Sequence, residues 1–258
     1  MAVTSENHNA LPLLLSLNAG YVDTAGFRAM QGLFTAHVTG NFVTLGASIA
    51  LGTSGAVAKV LTLPVFCLVV IATRLLGSLR SSRRGAALDT LLATKVPLLI
   101  VGAALAIRFG PFHDGDSWPA LLTGMALVAA MAVQNAVHRI HLGSVPASTL
   151  MTGTTTQIMI DLADLIYADP ATQTRSDSKL GLMSLNVLVF ALGCGAAALL
   201  SLIFRRVVLP LAAVAWSAGA RSSPDWPERG GRRAIEGLEG SKVRAPRRRD
   251  DGRDAIPL

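Results

Sequence analysis

The stretch Gly32–Leu51, GLFTAHVTGNFVTLGASIAL, decides how this chain is read. It is long and apolar enough to cross a bilayer, yet it carries His37, Thr39, Gly40, Asn41, Thr44 and Ser48. At about 3.6 residues per turn, His37, Asn41, Thr44 and Ser48 fall on one helical face. A polar face inside hydrocarbon needs a protein or water partner. The pattern returns 113 residues later in STLMTGTTTQIMIDLADLIY, where Thr39-Gly40 becomes Thr152-Gly153 and the stripe reads Leu150, Thr154, Gln157, Asp161. Only Thr39, Gly40 and Ala50 have identical counterparts, so the repeat rests on polarity rather than identity.

The rest of the composition agrees with a membrane protein. Of 258 residues, 51% are hydrophobic and only 15% charged, against about 25% charged in soluble domains. Apolar blocks long enough to span a bilayer recur at Leu11–Met30, Thr35–Leu51, Val60–Leu79, Leu88–Ile107, Ala120–Val137, Thr149–Tyr167 and Leu180–Phe204. Val207–Ala220 is shorter and holds Pro210, which suits an interfacial or re-entrant segment. The expected fold is therefore an all-α polytopic bundle of about seven spans in two related halves, residues 11–109 and 119–220. A short segment, 1–10, precedes it, and the Arg-rich tail 221–258 is expected to be disordered.

Charge placement argues against a nucleic-acid partner. The net charge is +7, but the run Arg247-Arg248-Arg249 is followed at once by Asp250 and Asp251. A solvated tail near anionic headgroups accounts for it. The excess of Lys and Arg on cytoplasmic loops, applied to seven spans, places the N-terminus outside and the C-terminus inside. The parallel relation between halves holds only if both Thr-Gly segments cross fully; broken or re-entrant segments could invert it. Cys67 and Cys194 lie in separate apolar blocks and read as packing residues, neither a disulfide framework nor a metal site.

The chemistry rests on polar residues inside the blocks. Asp23 lies about 4 Å from the midpoint of its span. Such an acid costs about 2.5–3.5 kcal/mol to insert, so it either hydrogen-bonds a neighbouring broken helix or serves as a proton or cation site. Gln134 and Asn135 occupy the matching end of the fifth block and can hydrogen-bond across helices. Gly40 and Gly153, beside Thr39 and Thr152, mark either close packing or a break that frees backbone groups for a solute. Asp161 and Asp164 extend the second stripe, and Arg74 and Lys95 could pair with acids or snorkel, snorkelling suiting Lys95 better. No hydrolase, metalloprotease or phosphate-loop motif occurs, so no enzyme activity and no cofactor or metal is expected.

Four runs together resemble one family: Asn18-Ala19-Gly20-Tyr21-Val22-Asp23-Thr24-Ala25-Gly26-Phe27, Thr39-Gly40-Asn41, Gln134-Asn135-Ala136 and Met151-Thr152-Gly153-Thr154. In this order they resemble the YoaK-type bacterial integral membrane proteins, over roughly Leu11 to Ala220. The resemblance implies a polytopic inner-membrane protein and carries no substrate. Gln157, Asp161 and the basic tail depart from the pattern. The expectation is a transporter or channel for a small solute or ion. Asp23 would be its titratable or cation-pairing group; Thr39, Gly40, Asn41, Thr44, Gln134, Asn135, Thr152, Gly153, Thr154, Gln157 and Asp161 would complete the site. A non-transporting scaffold is the alternative. The expected partners are the lipid bilayer and the solute, and a homo-oligomer is compatible with the sequence.

Overall fold

The computed structural model describes residues 7–79, 84–143, 147–149, 151–167 and 170–203. The short segment Val207–Ala220 and the tail from Arg221 lie outside these residues. The described chain forms seven α-helices and no strand: α1 (Asn7–Ala29), α2 (Gly40–Leu51), α3 (Ala56–Leu79), α4 (Arg84–Phe109), α5 (Trp118–His141), α6 (Met151–Tyr167) and α7 (Pro170–Ile203). Among them, Ala56–Leu79, Thr90–Phe109, Trp118–His141 and Leu180–Leu202 are long and apolar enough to cross a membrane. The all-helical membrane bundle expected from the sequence is present.

α5 is the inner helix. Its residues Leu127, Val128, Ala129, Ala130, Met131, Ala132 and Val133 are all buried in succession, so over these two turns no face of it meets the surroundings. α3 and α7 are outer helices, with Leu68, Ile71, Leu188 and Leu199 exposed. A helix buried on one side and oily on the other is what lipid contact demands. α1 packs along α7, while α3 and α4 pack along α5. Cys194 is half-buried on α7, whereas Cys67 is exposed on α3, which corrects its reading as a buried packing residue.

The first Thr-Gly segment departs from an unbroken span. α1 stops at Ala29, and the chain turns through Gln31 and Gly32 at positive φ, with Gly32 N–H donating to Phe27 C=O at 2.8 Å. This is a left-handed helix stop. Residues 30–39 are non-helical, and Thr35 and Ala36 fold back onto Asp23 inside α1. α2 then returns: Lys59 of α3 donates to both Ser48 Oγ (2.8 Å) and Gln31 C=O (2.9 Å), so the last turn of α2 lies level with the end of α1. At about 1.5 Å per residue, α2 is about 18 Å long, roughly half a bilayer core. The segment re-enters.

α1 and α5 run in opposite directions. Met30 and Leu33, at the end of α1, meet Gly124 near the start of α5, while Asn18 reaches Gln134 further along α5. α1 and α5 are therefore antiparallel, not parallel as full crossings of both Thr-Gly segments would require. α3 runs with α5, because Asp116, just before α5, accepts from Gly55 N–H (2.9 Å) and Ala58 N–H (3.0 Å) at the start of α3. That carboxylate caps α3 from another loop.

Close approach of α1 and α7 depends on two glycines. A Cβ at Gly193 would lie 2.2 Å from Leu17 O, and one at Gly20 would lie 2.2 Å from Phe190 O. Small residues at such a crossing let backbones touch. Gly193→Ala is expected to lower the thermal unfolding midpoint in detergent by several degrees, since overpacking costs about 1–3 kcal/mol. Gly195→Ala, where nothing lies within 4 Å, should leave it unchanged.

Candidate functional site

The site grows from the problem the re-entrant segment creates. Non-helical backbone at membrane depth carries N–H groups that lipid cannot satisfy. Asp23, 4% exposed, supplies the acceptors. Its Oδ1 accepts from Thr35 N–H (2.7 Å), Ala36 N–H (2.8 Å) and Thr35 Oγ1 (3.3 Å), and its Oδ2 lies 2.6 Å from His37 Nδ1. Hydrogen bonds to a charged group contribute about 1.5–3 kcal/mol each, so several of them outweigh an insertion cost of about 2.5–3.5 kcal/mol. Of the two roles expected for Asp23, the structure displays the hydrogen-bonding one.

Asn41 performs the same task one step on. Its Oδ1 accepts from Phe34 N–H and its Nδ2 donates to Phe34 C=O, both at 2.8 Å, so one amide satisfies a whole peptide residue. At 1% exposure it is a staple between α2 and the segment before it.

His37 packs against α7: its ring lies edge-on to Phe190, 5.7 Å between centroids, and its side chain is 31% exposed. One nitrogen engages Asp23, and the ring lies near the backbone of Thr149. Thr149 in turn donates from Oγ1 to Asn135 Oδ1 at 2.6 Å. Asp23, His37, Thr149 and Asn135 thus stand in succession between α1 and α5. Each of the two bonded pairs, Asp23 with His37 and Asn135 with Thr149, spans fourteen residues.

The remaining expected site residues divide. Gln134 is fully buried: its Nε2 donates to Leu15 C=O (2.8 Å) and Ser148 Oγ (3.2 Å). Thr154 is buried on α6, and Thr44, half-buried, donates to Asn41 C=O at 3.3 Å. Thr39, Thr152, Gly153 and Gln157 are exposed, with Gly40 and Asp161 half-buried. Gln157 donates to Asp161 at 2.6 Å within α6 itself.

α2 packs on α3, and α6 on α7. The two Thr-Gly helices thus pack chiefly on α3 and α7 rather than on each other. The residues that meet, His37 and Thr149, precede the Thr-Gly pairs, because that is where the backbone unwinds. Snorkelling of Lys95 is corrected: it is 1% exposed, with Nζ donating to Gln134 Oε1 at 2.5 Å. Sequence reasoning left Asn18, Thr35, Lys95, Ser148 and Thr149 out of the site. The shared fourteen-residue spacing was the signal that could have found Thr149.

The bundle, with buried polar residues gripping re-entrant backbone, defines a polytopic helical membrane protein. Residues 11–220 match the family described as "Protein of unknown function (DUF1275)", and the chain belongs to it. Over 164 residues it is 30% identical to the "UPF0700 transmembrane protein YoaK" of Bacillus subtilis (strain 168), covering 62% of this chain and 69% of that protein. No solved structure matches.

Asp23→Ala orphans the Thr35 and Ala36 N–H groups, at about 1–3 kcal/mol each. A fall in unfolding midpoint clearly larger than that of Gln157→Ala, which is exposed and bonded only within its own helix, is expected in detergent melts.

Proposed function

We propose that this protein is a transporter or channel for a small solute or ion, built as two inverted copies of one unit. One observation carries the reading: His37, in the non-helical segment before α2, comes beside Thr149, which precedes α6 and bonds Asn135 of α5. Inverted repeats with discontinuous helices, whose binding sites lie where the breaks meet, are a recurring transporter architecture. Here α1, α2 and α3 correspond to α5, α6 and α7, and the reciprocal packing of α1 on α7 and α5 on α3 follows that correspondence. His37 is the residue that meets the solute, with Asp23 and Asn135 behind it. Protonation of His37 would pair it fully with the Asp23 carboxylate, so solute passage is expected to depend on pH.

The same packing bears on the orientation. The N-terminus of α1, the C-terminus of α3 and the C-terminus of α5 lie on one face, because α1 is antiparallel to both. Arg139, near the end of α5, belongs to that face. Taken with the bias of basic residues toward the cytoplasm, this supports a cytoplasmic N-terminus in a bacterial inner membrane, in place of the N-out expectation.

The rival reading, a scaffold whose polar residues only cement helices, is separated by water access. With Cys67 and Cys194 replaced by Ser, His37→Cys is expected to react with a membrane-impermeant maleimide added to oriented vesicles. Protection from both faces would favour the scaffold. In proteoliposomes screened with protons, chloride, urea and glycerol, a flux carried by the wild type is expected to fall in His37→Phe. Unchanged flux would remove His37 from the path.

A further inference from the structure

Lys95 is the least expected residue in the bundle. It sits on α4 among Leu91, Leu92 and Leu99, all buried, and is itself 1% exposed. Its Nζ has one hydrogen bond, to Gln134 Oε1. Among the described residues the one ion pair is Asp23 with His37, so no carboxylate stands against this amine. An isolated ammonium enclosed this way is strongly disfavoured. A neutral amine, donating to the Gln134 carbonyl, is not.

A second observation comes from Asn18. It is 4% exposed, and its Nδ2 donates to the same Gln134 Oε1 at 3.1 Å, while its Oδ1 is buried without any hydrogen-bond partner. Buried acceptors are rarely left empty. An ammonium brings three N–H donors where one is already placed. The cluster thus holds a spare acceptor beside an amine able to gain a donor.

We propose that Lys95 is a proton-binding site, its nitrogen lone pair taking a proton from hydronium in one state of the protein and returning it to water in another. No other bond changes. The charge is felt beyond the cluster: Gln134 accepts from Lys95 with its oxygen and donates with its nitrogen to Leu15 and to Ser148. Ser148 adjoins Thr149, whose backbone His37 reaches. Gain of a proton at Lys95 therefore pulls on Ser148 and the chain beside Thr149.

The other titratable groups on the surrounding elements are few. α5 carries His138, buried one turn beyond Gln134, and then Arg139, which is exposed. α1 carries Asp23, five residues beyond Asn18 and occupied by the first segment. α7 brings Asn186, which is polar but does not titrate; it donates to Ala147 C=O and accepts from Ser16. Arg74 of α3 is exposed. If the protein moves a solute, Lys95 makes protons its coupling ion; that clause alone rests on the transport reading.

The test reads the nitrogen directly. The chain has four lysines, Lys59, Lys95, Lys179 and Lys242, so ¹⁵N-lysine NMR of the full chain in nanodiscs, with Lys95→Met for assignment, resolves its Nζ. The Lys95 signal is expected to interconvert between the free-amine and ammonium positions across a pH titration in which the protein stays folded. Gln134→Glu, and separately Asn18→Asp, place a carboxylate in the cluster and should hold the signal as ammonium throughout. A wild-type signal fixed in one form overturns the site, as does one that moves identically in the wild type and in either folded carboxylate variant. A Lys95 that titrates in a protein that moves no solute would sink the transport reading and leave the site standing.

Discussion

The carboxylate of Asp23 and the unwound backbone it holds are the constraint from which the rest of the bundle follows. Interrupting a helix at membrane depth exposes peptide N–H groups that must find acceptors within the protein. Asp23 gives Thr35 and Ala36 those acceptors while also engaging His37. Each side solves the other's difficulty: the acid is costly without donors, and the donors are costly without the acid. Once that exchange is made, α2 has to start deep inside the bundle and run back toward the end of α1.

The second polar pair at this level has a different chemistry. In the pair at α1 a carboxylate grips an imidazole; in the pair at α5, Asn135 accepts from Thr149. The first pair can change its charge and the second cannot. Lys95, reaching α5 from α4, adds a further ionisable group close to the neutral pair. The polar interior thus carries an electrostatic asymmetry between its α1 and α5 sides.

The helical bundle was legible because apolar length is a direct demand of the bilayer, and the blocks from Val60 to Val137 map onto α3, α4 and α5 with small shifts. Asp23, Asn41, Gln134 and Asn135 were legible as residues with something to bond, since polar groups in hydrocarbon always have something to bond. What each one bonds was not. The apolar run through Phe34, Ala36 and Val38 reads as helix whether or not its backbone is hydrogen-bonded internally, and a contact such as His37 with Thr149 depends on where two distant segments unwind. Lys95 looked able to snorkel because its distance from a helix end says nothing about Gln134 waiting on the neighbouring helix. The polar residues of α6 misled for the opposite reason: Gln157 and Asp161 satisfy each other locally and leave their face exposed.

Disulfide trapping tests the approach of His37 to Thr149 most directly. In native membranes, with Cys67 and Cys194 removed, His37→Cys combined with Thr149→Cys should cross-link rapidly under mild oxidation. A control pairing Gly46→Cys with Gly153→Cys, on the exposed sides of α2 and α6, should not. A His37–Thr149 pair that stays reduced while the control closes would contradict the account.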